Sequence, residues 1–148
     1  MAKGCLLYTS DAADDRSRGL GDVYKRQILD IGTGYGETSI FLAKRYSDKV
    51  VISCEKYIDG NIILLKNIEN NKLKNIRLHN GNVYDVLESI NKKYFKLVWI
   101  FFPDPWPKNR HAKRRLVTSD FLVKLHKNMK ENSEISVSYT HLRAHETN

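Results

Sequence analysis

Ile28-Leu29-Asp30-Ile31-Gly32-Thr33-Gly34-Tyr35-Gly36-Glu37 is an apolar run that breaks into three glycines at alternate positions. Four residues are too few for a helix, so 28–31 reads as a buried strand. Glycines directly after a strand let the backbone turn tightly and approach a ligand with no Cβ in the way. Beyond the turn, residues 37–46 read as a helix with Ile40, Phe41 and Ala43 on its inner side.

The same alternation repeats downstream. Residues 50–54 are a second apolar strand ending at Glu55, and 58–71 a helix with Ile62, Leu65 and Ile68 at helical spacing. A third strand over 76–78 leads through Asn80-Gly81-Asn82 into a short helix over 83–90. Residues 96–102 form a fourth strand, apolar at nearly every position, as a strand covered on both faces must be. Residues 118–128 are a helix with Phe121, Leu122 and Leu125 inward and Thr118 or Ser119 as N-cap. Strands alternating with helices in this way imply right-handed βαβ units: an α/β, Rossmann-like fold, a parallel sheet with helices on both faces. Ligands of such sheets sit beyond the carboxyl ends of the strands, near the point where strand order reverses.

Composition narrows the class. The 148 residues carry 25 Lys+Arg against 17 Asp+Glu, a formal charge of +8, and are 41% hydrophobic and 28% charged. That is the profile of a folded domain with an anionic partner such as nucleic acid. The longest apolar run, 97–102, has six residues, far short of a membrane span. Cys5 and Cys54 make neither a metal site nor a disulfide framework, and a reduced cytoplasmic setting is the expectation. Cys54 reads as a core thiol, and His79 and His126 as structural.

The spacing G-x-G-x-G is not the dinucleotide fingerprint, and no Lys-Ser/Thr pair follows to grip a phosphate. An acid directly before the turn would repel a pyrophosphate and suits a cationic ligand. S-adenosylmethionine fits: its ammonium and sulfonium near Asp30, its ribose diol at Glu55, 25 residues on, its adenine edge at Asn82. Glycines alone would serve equally as a plain strand–helix turn, with Glu55 a solvated strand end. Three polar residues on three successive strand ends favour the cofactor, with Gly32, Gly34 and Val83 as further expected contacts.

All three prolines lie in Pro103-Asp104-Pro105-Trp106-Pro107, directly after the fourth strand. Proline at alternate positions stiffens the loop and would hold Asp104 and Trp106 over the site. Lys108-Asn109-Arg110-His111-Ala112-Lys113-Arg114-Arg115 follows, with five fixed positive charges in eight residues and no acid. Such a run is often a solvated face. Beside the expected site, it would bind the phosphates of a nucleic acid, positioning it without reading its sequence.

Residues 30–37 (DIGTGYGE), 54–57 (CEKY) and above all 101–115 (FFPDPWPKNRHAKRR) resemble the tRNA (guanine-N7)-methyltransferase family. The resemblance covers residues 28 to about 135 and implies a class I methyltransferase acting on the variable-loop guanine, position 46 of tRNA, with S-adenosylmethionine as cofactor. It implies cofactor contacts at Asp30, Glu55, Asn82 and Asp104, a catalytic role for Asp104 and a tRNA contact at Lys108. Arg110, Lys113, Arg114 and Arg115 extend the expected tRNA-binding string. Many members carry Glu at the position of Asp30, which keeps the charge, and Asp at that of Asn82, which this chain replaces by a neutral amide. Trp106 would stack on a base or pack under the loop, and His111 would contact phosphate or solvent.

The ends differ from the middle. Residues 5–27 and 136–147 resemble translated sequencing-adaptor read-through, which suggests extraneous segments at 1–27 and 136–148 around a partial domain at 28–135. Residues 13–20 hold no large apolar side chain and are expected to be poorly ordered. The domain is thus expected to stop after about the fifth strand, with Ile135, Val137 and Tyr139 alternating as that strand. Without it the fourth strand would be a long open edge, and the chain as it stands is expected to be poorly soluble and weakly active or inactive. Two other readings remain: a non-catalytic RNA-binding fragment, or a methyltransferase with a different acceptor.

Overall fold

Five segments, four of them largely buried, lie side by side as parallel strands. The computed structural model describes residues 7–8, 27–90, 92–101, 103 and 108–138. Its strands are β1 (Leu7–Tyr8), β2 (Gln27–Ile31), β3 (Val50–Glu55), β4 (Ile76–Asn80), β5 (Phe95–Phe101) and β6 (Met129–Ser138). The helices are α1 (Glu37–Arg45), α2 (Ile58–Asn70), α3 (Val83–Ser89) and α4 (Ser119–Lys127), with a 3-10 segment at Asn109–Arg114. The sheet order is β1-β4-β3-β2-β5-β6, all parallel except the short β1, which runs antiparallel to β4. Strand order therefore reverses between β2 and β5. β1 lies at residues 7–8, β2 begins at Gln27 and β6 continues to Ser138, so the sheet takes in residues on both sides of the 28–135 block.

Period-two side-chain alternation divides the core into two layers. Ile28, Val51, Ile76 and Leu78 pack with Leu42, Leu64 and Ile68 of α1 and α2. Leu29, Ile31, Ile52, Val98 and Ile100 pack on the other face with Val86, Phe121 and Leu125 of α3 and α4. Thr118 caps α4, its Oγ1 accepting from the Phe121 N–H at 3.2 Å, which decides between the two candidate caps. β6 pairs along β5 and closes the edge that would otherwise be open. It is longer than the alternating triplet, and Tyr139 lies outside the described residues. An irregular stretch near its start, with Asn132 at φ 53°, is tied down by Lys96 Nζ donating to the Glu131 and Asn132 carbonyls.

Two inward assignments made from spacing, Phe41 and Leu122, are corrected, and the spacing noted over α2 does not mark its buried face. Phe41 is exposed, and Ser39, Leu42 and Ala43 form the inner face of α1. Ile62 is exposed, and α2 buries Gly60, Asn61, Leu64 and Ile68. Leu122 is exposed while Phe121 and Leu125 are buried. Each helix carries more apolar residues than one face holds, so spacing alone allowed more than one rotation. The fourth parallel strand, β5, is not covered on both faces either. Phe95, Val98 and Ile100 are buried, whereas Leu97, Trp99 and Phe101 are half-buried, with Phe41, Trp99 and Phe101 stacked at 6.1 and 4.5 Å between centroids.

Candidate active site

The glycine turn is held from below and behind. All three of its glycines have positive φ (Gly32 72°, Gly34 57°, Gly36 85°), a region open to glycine and strained for most other residues. A Cβ at Gly32 or Gly34 would meet nothing within 4 Å, so these two leave open space, whereas one at Gly36 would lie 2.5 Å from Leu64 Cδ1. The Gly32 N–H donates to the Cys54 carbonyl at 2.8 Å, joining the turn to the end of β3.

Glu55 ends β3 and grips the turn. Its Oε2 accepts from the Gly34 N–H at 2.8 Å and its Oε1 from the Tyr57 N–H at 2.9 Å. Both oxygens are thereby aimed by backbone donors. Asn82 begins α3, its Oδ1 accepting from the Tyr84 N–H at 3.1 Å. The Gly81 N–H donates to the Glu55 carbonyl at 3.0 Å, joining the ends of β3 and β4.

Asp30 lies behind the turn, wholly buried between α1 and β3. Ser39 Oγ donates to its Oδ2 at 2.6 Å and lies 2.9 Å from Ser53 Oγ, which is 3.3 Å from Thr33 Oγ1. Burial pushes the Asp30 carboxyl up from 3.8 to about 7; the Ser39 hydrogen bond opposes the shift and the Glu55 charge adds to it. The result is a carboxyl whose ionisation is costly unless a cation comes near.

A cavity of about 530 Å³ opens at the switch point, a size suited to a cofactor. Gly32, Glu55, Asn82 and Val83 line it, and so do Lys113, Arg114 and Arg115 of the segment following β5. The residues fit a methyl donor of the S-adenosylmethionine type: an open glycine cradle, a carboxylate aimed by two amides, and a buried acid behind. The strand-end acid Glu55 and three basic side chains thus share one cavity.

This geometry agrees with what related chains are. A family model described as "Putative methyltransferase" matches residues 25–145. The chain belongs to this methyltransferase family. It is similar to the tRNA (guanine-N(7)-)-methyltransferase of Neorickettsia sennetsu, 39% identical over 111 residues, 75% of this chain and 51% of that protein. The enzyme of the same name from Zymomonas mobilis is 38% identical over 113 residues, 76% of this chain and 49% of that one. The chain spans about half the length of the curated relatives it matches. An rRNA methylase from Streptococcus thermophilus shares the fold, with a TM-score of 0.58 at 11% identity over 79% of this chain and 63% of that one.

The fold brings Gly32, Glu55, Asn82, Val83, Lys113, Arg114 and Arg115 together at one cavity. Asp30 and Gly34 do not line it: one lies behind the turn, the other faces α2 and Glu55. Lys108 and Arg110 are exposed outside it. Asp104 and Trp106 lie outside the described residues. The basic string is not an irregular run, because Asn109–Arg114 winds into a 3-10 segment with the His111 N–H donating to the Lys108 carbonyl at 2.9 Å. Cys54 is a buried thiol that borders the cavity, its Sγ 3.5 Å from the Gly81 carbonyl. Among the described residues no cluster fits a metal ion, and no helix is long and apolar enough to cross a membrane.

Sequence reasoning passed over Lys56, Tyr84 and Leu116 in the cavity lining, and Gly60 and Asn61 on α2. A glycine inside an apolar helix was the available signal, since such a residue usually has a packing reason.

Proposed function

We propose that this methyltransferase chain binds S-adenosylmethionine and transfers its methyl group to N7 of a tRNA guanine, the variable-loop guanine at position 46, in the cytoplasm. The observation that carries this reading is the single cavity lined both by Glu55 and Asn82 and by Lys113, Arg114 and Arg115. It agrees with the names of relatives to which this chain is similar. The bound donor would supply a sulfonium-activated methyl carbon. Glu55, already aimed by two backbone amides, would accept from the ribose hydroxyls, and Gly32 leaves room for close backbone approach. Asp30 would place negative charge behind the turn, opposite the cationic part of the donor. Lys113, Arg114 and Arg115 would hold phosphates at the cavity, with Lys108 and Arg110 extending the path.

Guanine N7 presents an in-plane lone pair, so no base need first remove a proton. The chain's task is alignment, which by itself lowers such a barrier greatly. Asp104, directly after the end of β5 and Pro103, would accept from the guanine N1–H and amino group and offset the positive charge that develops on the ring. The test is transfer of a labelled methyl group to a tRNA transcript. Label should appear with guanine at position 46 and disappear when that guanine is replaced by 7-deazaguanine, which lacks the N7 lone pair. Asp104→Asn should bind donor normally and lose transfer. Label on protein, label surviving the 7-deaza replacement, or undiminished transfer by Asp104→Asn would refute the corresponding part. Tight RNA binding without donor binding would favour the non-catalytic fragment.

A further inference from the structure

Helix α2 touches the glycine turn backbone to backbone. An ideal Cβ on Gly60 would sit 2.1 Å from the Gly34 carbonyl oxygen and 2.9 Å from its carbon. No real Cβ approaches that closely, and the atom met is backbone, which cannot swing aside like a side-chain tip. One helical turn on, Leu64 fills the space that Gly36 leaves. The pair Gly60 and Leu64, spaced i and i+4 on one face of α2, thus seats Gly34 and Gly36.

The next residue binds the other side of the cleft. Asn61 is buried, and its Nδ2 donates to the Glu55 carbonyl at 2.9 Å and to Asn80 Oδ1 at 2.8 Å. It therefore joins the last residues of β3 and β4, from which Glu55 and the Gly81-Asn82 turn project. Through Gly60 and Asn61, α2 reaches three separate parts of the site: the glycine turn, the Glu55 backbone and the end of β4.

We propose that Gly60 and Asn61 are positioning residues, a strut on α2 that sets the distance between the glycine turn and the Glu55–Asn82 wall and thereby the affinity for the methyl donor. Neither residue lines the cavity, so each acts through the groups it holds. The inference rests on the reading of this cavity as a methyl-donor site. In Gly60→Ala the turn must retreat by about 1 Å to restore even a tight contact, and misplacements of that size cost on the order of a hundredfold where alignment matters. In Asn61→Leu the side chain keeps its bulk and loses both donors.

The test uses the whole chain and two readouts, with Ile76→Val as a control that weakens the core at the far end of β4. The first is the amide spectrum of the ligand-free protein. Gly60→Ala should shift the Gly34 and Gly36 N–H signals, Asn61→Leu the Gly81 N–H, and Ile76→Val neither. The second is calorimetric affinity for S-adenosylmethionine and, separately, for tRNA, below the unfolding transition. Both α2 variants should weaken the donor by about tenfold or more while tRNA affinity holds, because the strut serves alignment on the donor side. Unmoved Gly34 and Gly36 signals would overturn the contact. Unchanged donor affinity, equal weakening of donor and tRNA, or equal weakening by the control would overturn the positioning role. Failure of the unmodified chain to bind donor would instead overturn the donor-site reading, and the strut's purpose with it, whatever the amide signals show.

Discussion

Replacing Asp30 by asparagine should make the protein more stable at high pH and a poorer binder of its cationic ligand. The buried Asp30 carboxyl is held near 7 instead of 3.8. Between those values the folded chain binds a proton that the unfolded chain has released, so stability declines as pH rises through that window. The decline runs at about 1.4 kcal/mol per pH unit and reaches about 4 kcal/mol by pH 7, after which it levels off. Asparagine never ionises, and its carbonyl oxygen can still accept from Ser39. The stability gained by Asp30→Asn should therefore be about 3 kcal/mol larger at pH 8 than at pH 5. Urea unfolding of both proteins at the two pH values measures this, and calorimetry at pH 8 should show donor affinity falling as stability rises. A stability difference independent of pH, or one that widens toward acid, would refute the desolvation argument. Unchanged donor affinity would remove Asp30 from the site.

Glu55→Gln should weaken donor binding about tenfold to a hundredfold, since one backbone N–H then faces an NH₂ group in place of a carboxylate oxygen; calorimetry on the folded variant checks it. Thr118→Ala removes the oxygen capping α4 and should cost about 1 kcal/mol, lowering the melting midpoint by roughly 4 °C with donor affinity unchanged. Replacing Lys113, Arg114 and Arg115 together by alanine should flatten the salt dependence of tRNA binding, reducing the log–log slope by about 2 if each contacts a phosphate. An unaltered slope would place the phosphates elsewhere.

Much of the architecture was legible because it depends on local pattern. The apolar runs at Ile28 and Val50 could only be strands, and the alternation with helices required parallel pairing. That Glu55 and Asn82 share one rim was legible because parallel strands bring their carboxyl ends together, so a polar residue ending each apolar run must meet its counterparts there. The helix faces were less legible. Phe41, Ile62 and Leu122 are as apolar as Leu42, Leu64 and Phe121, and only the sheet against which each helix settles decides between them. The start of β6 was missed because Met129–Asn132 has no alternation, its irregular path being held by Lys96 from a neighbouring strand.

Sequence alone determined the alternation of strands and helices, the glycine turn with its flanking acids and the basic string, since each is written in neighbouring residues and their spacing. Tertiary structure alone decided that Asp30 is shut behind the turn with Ser39, that Lys113 to Arg115 border the same cavity as Glu55, and that Gly60 lets α2 touch the turn. Those facts concern distances between groups far apart in the chain. Such distances are set by how the two helix layers close on the sheet, which no short window of residues contains.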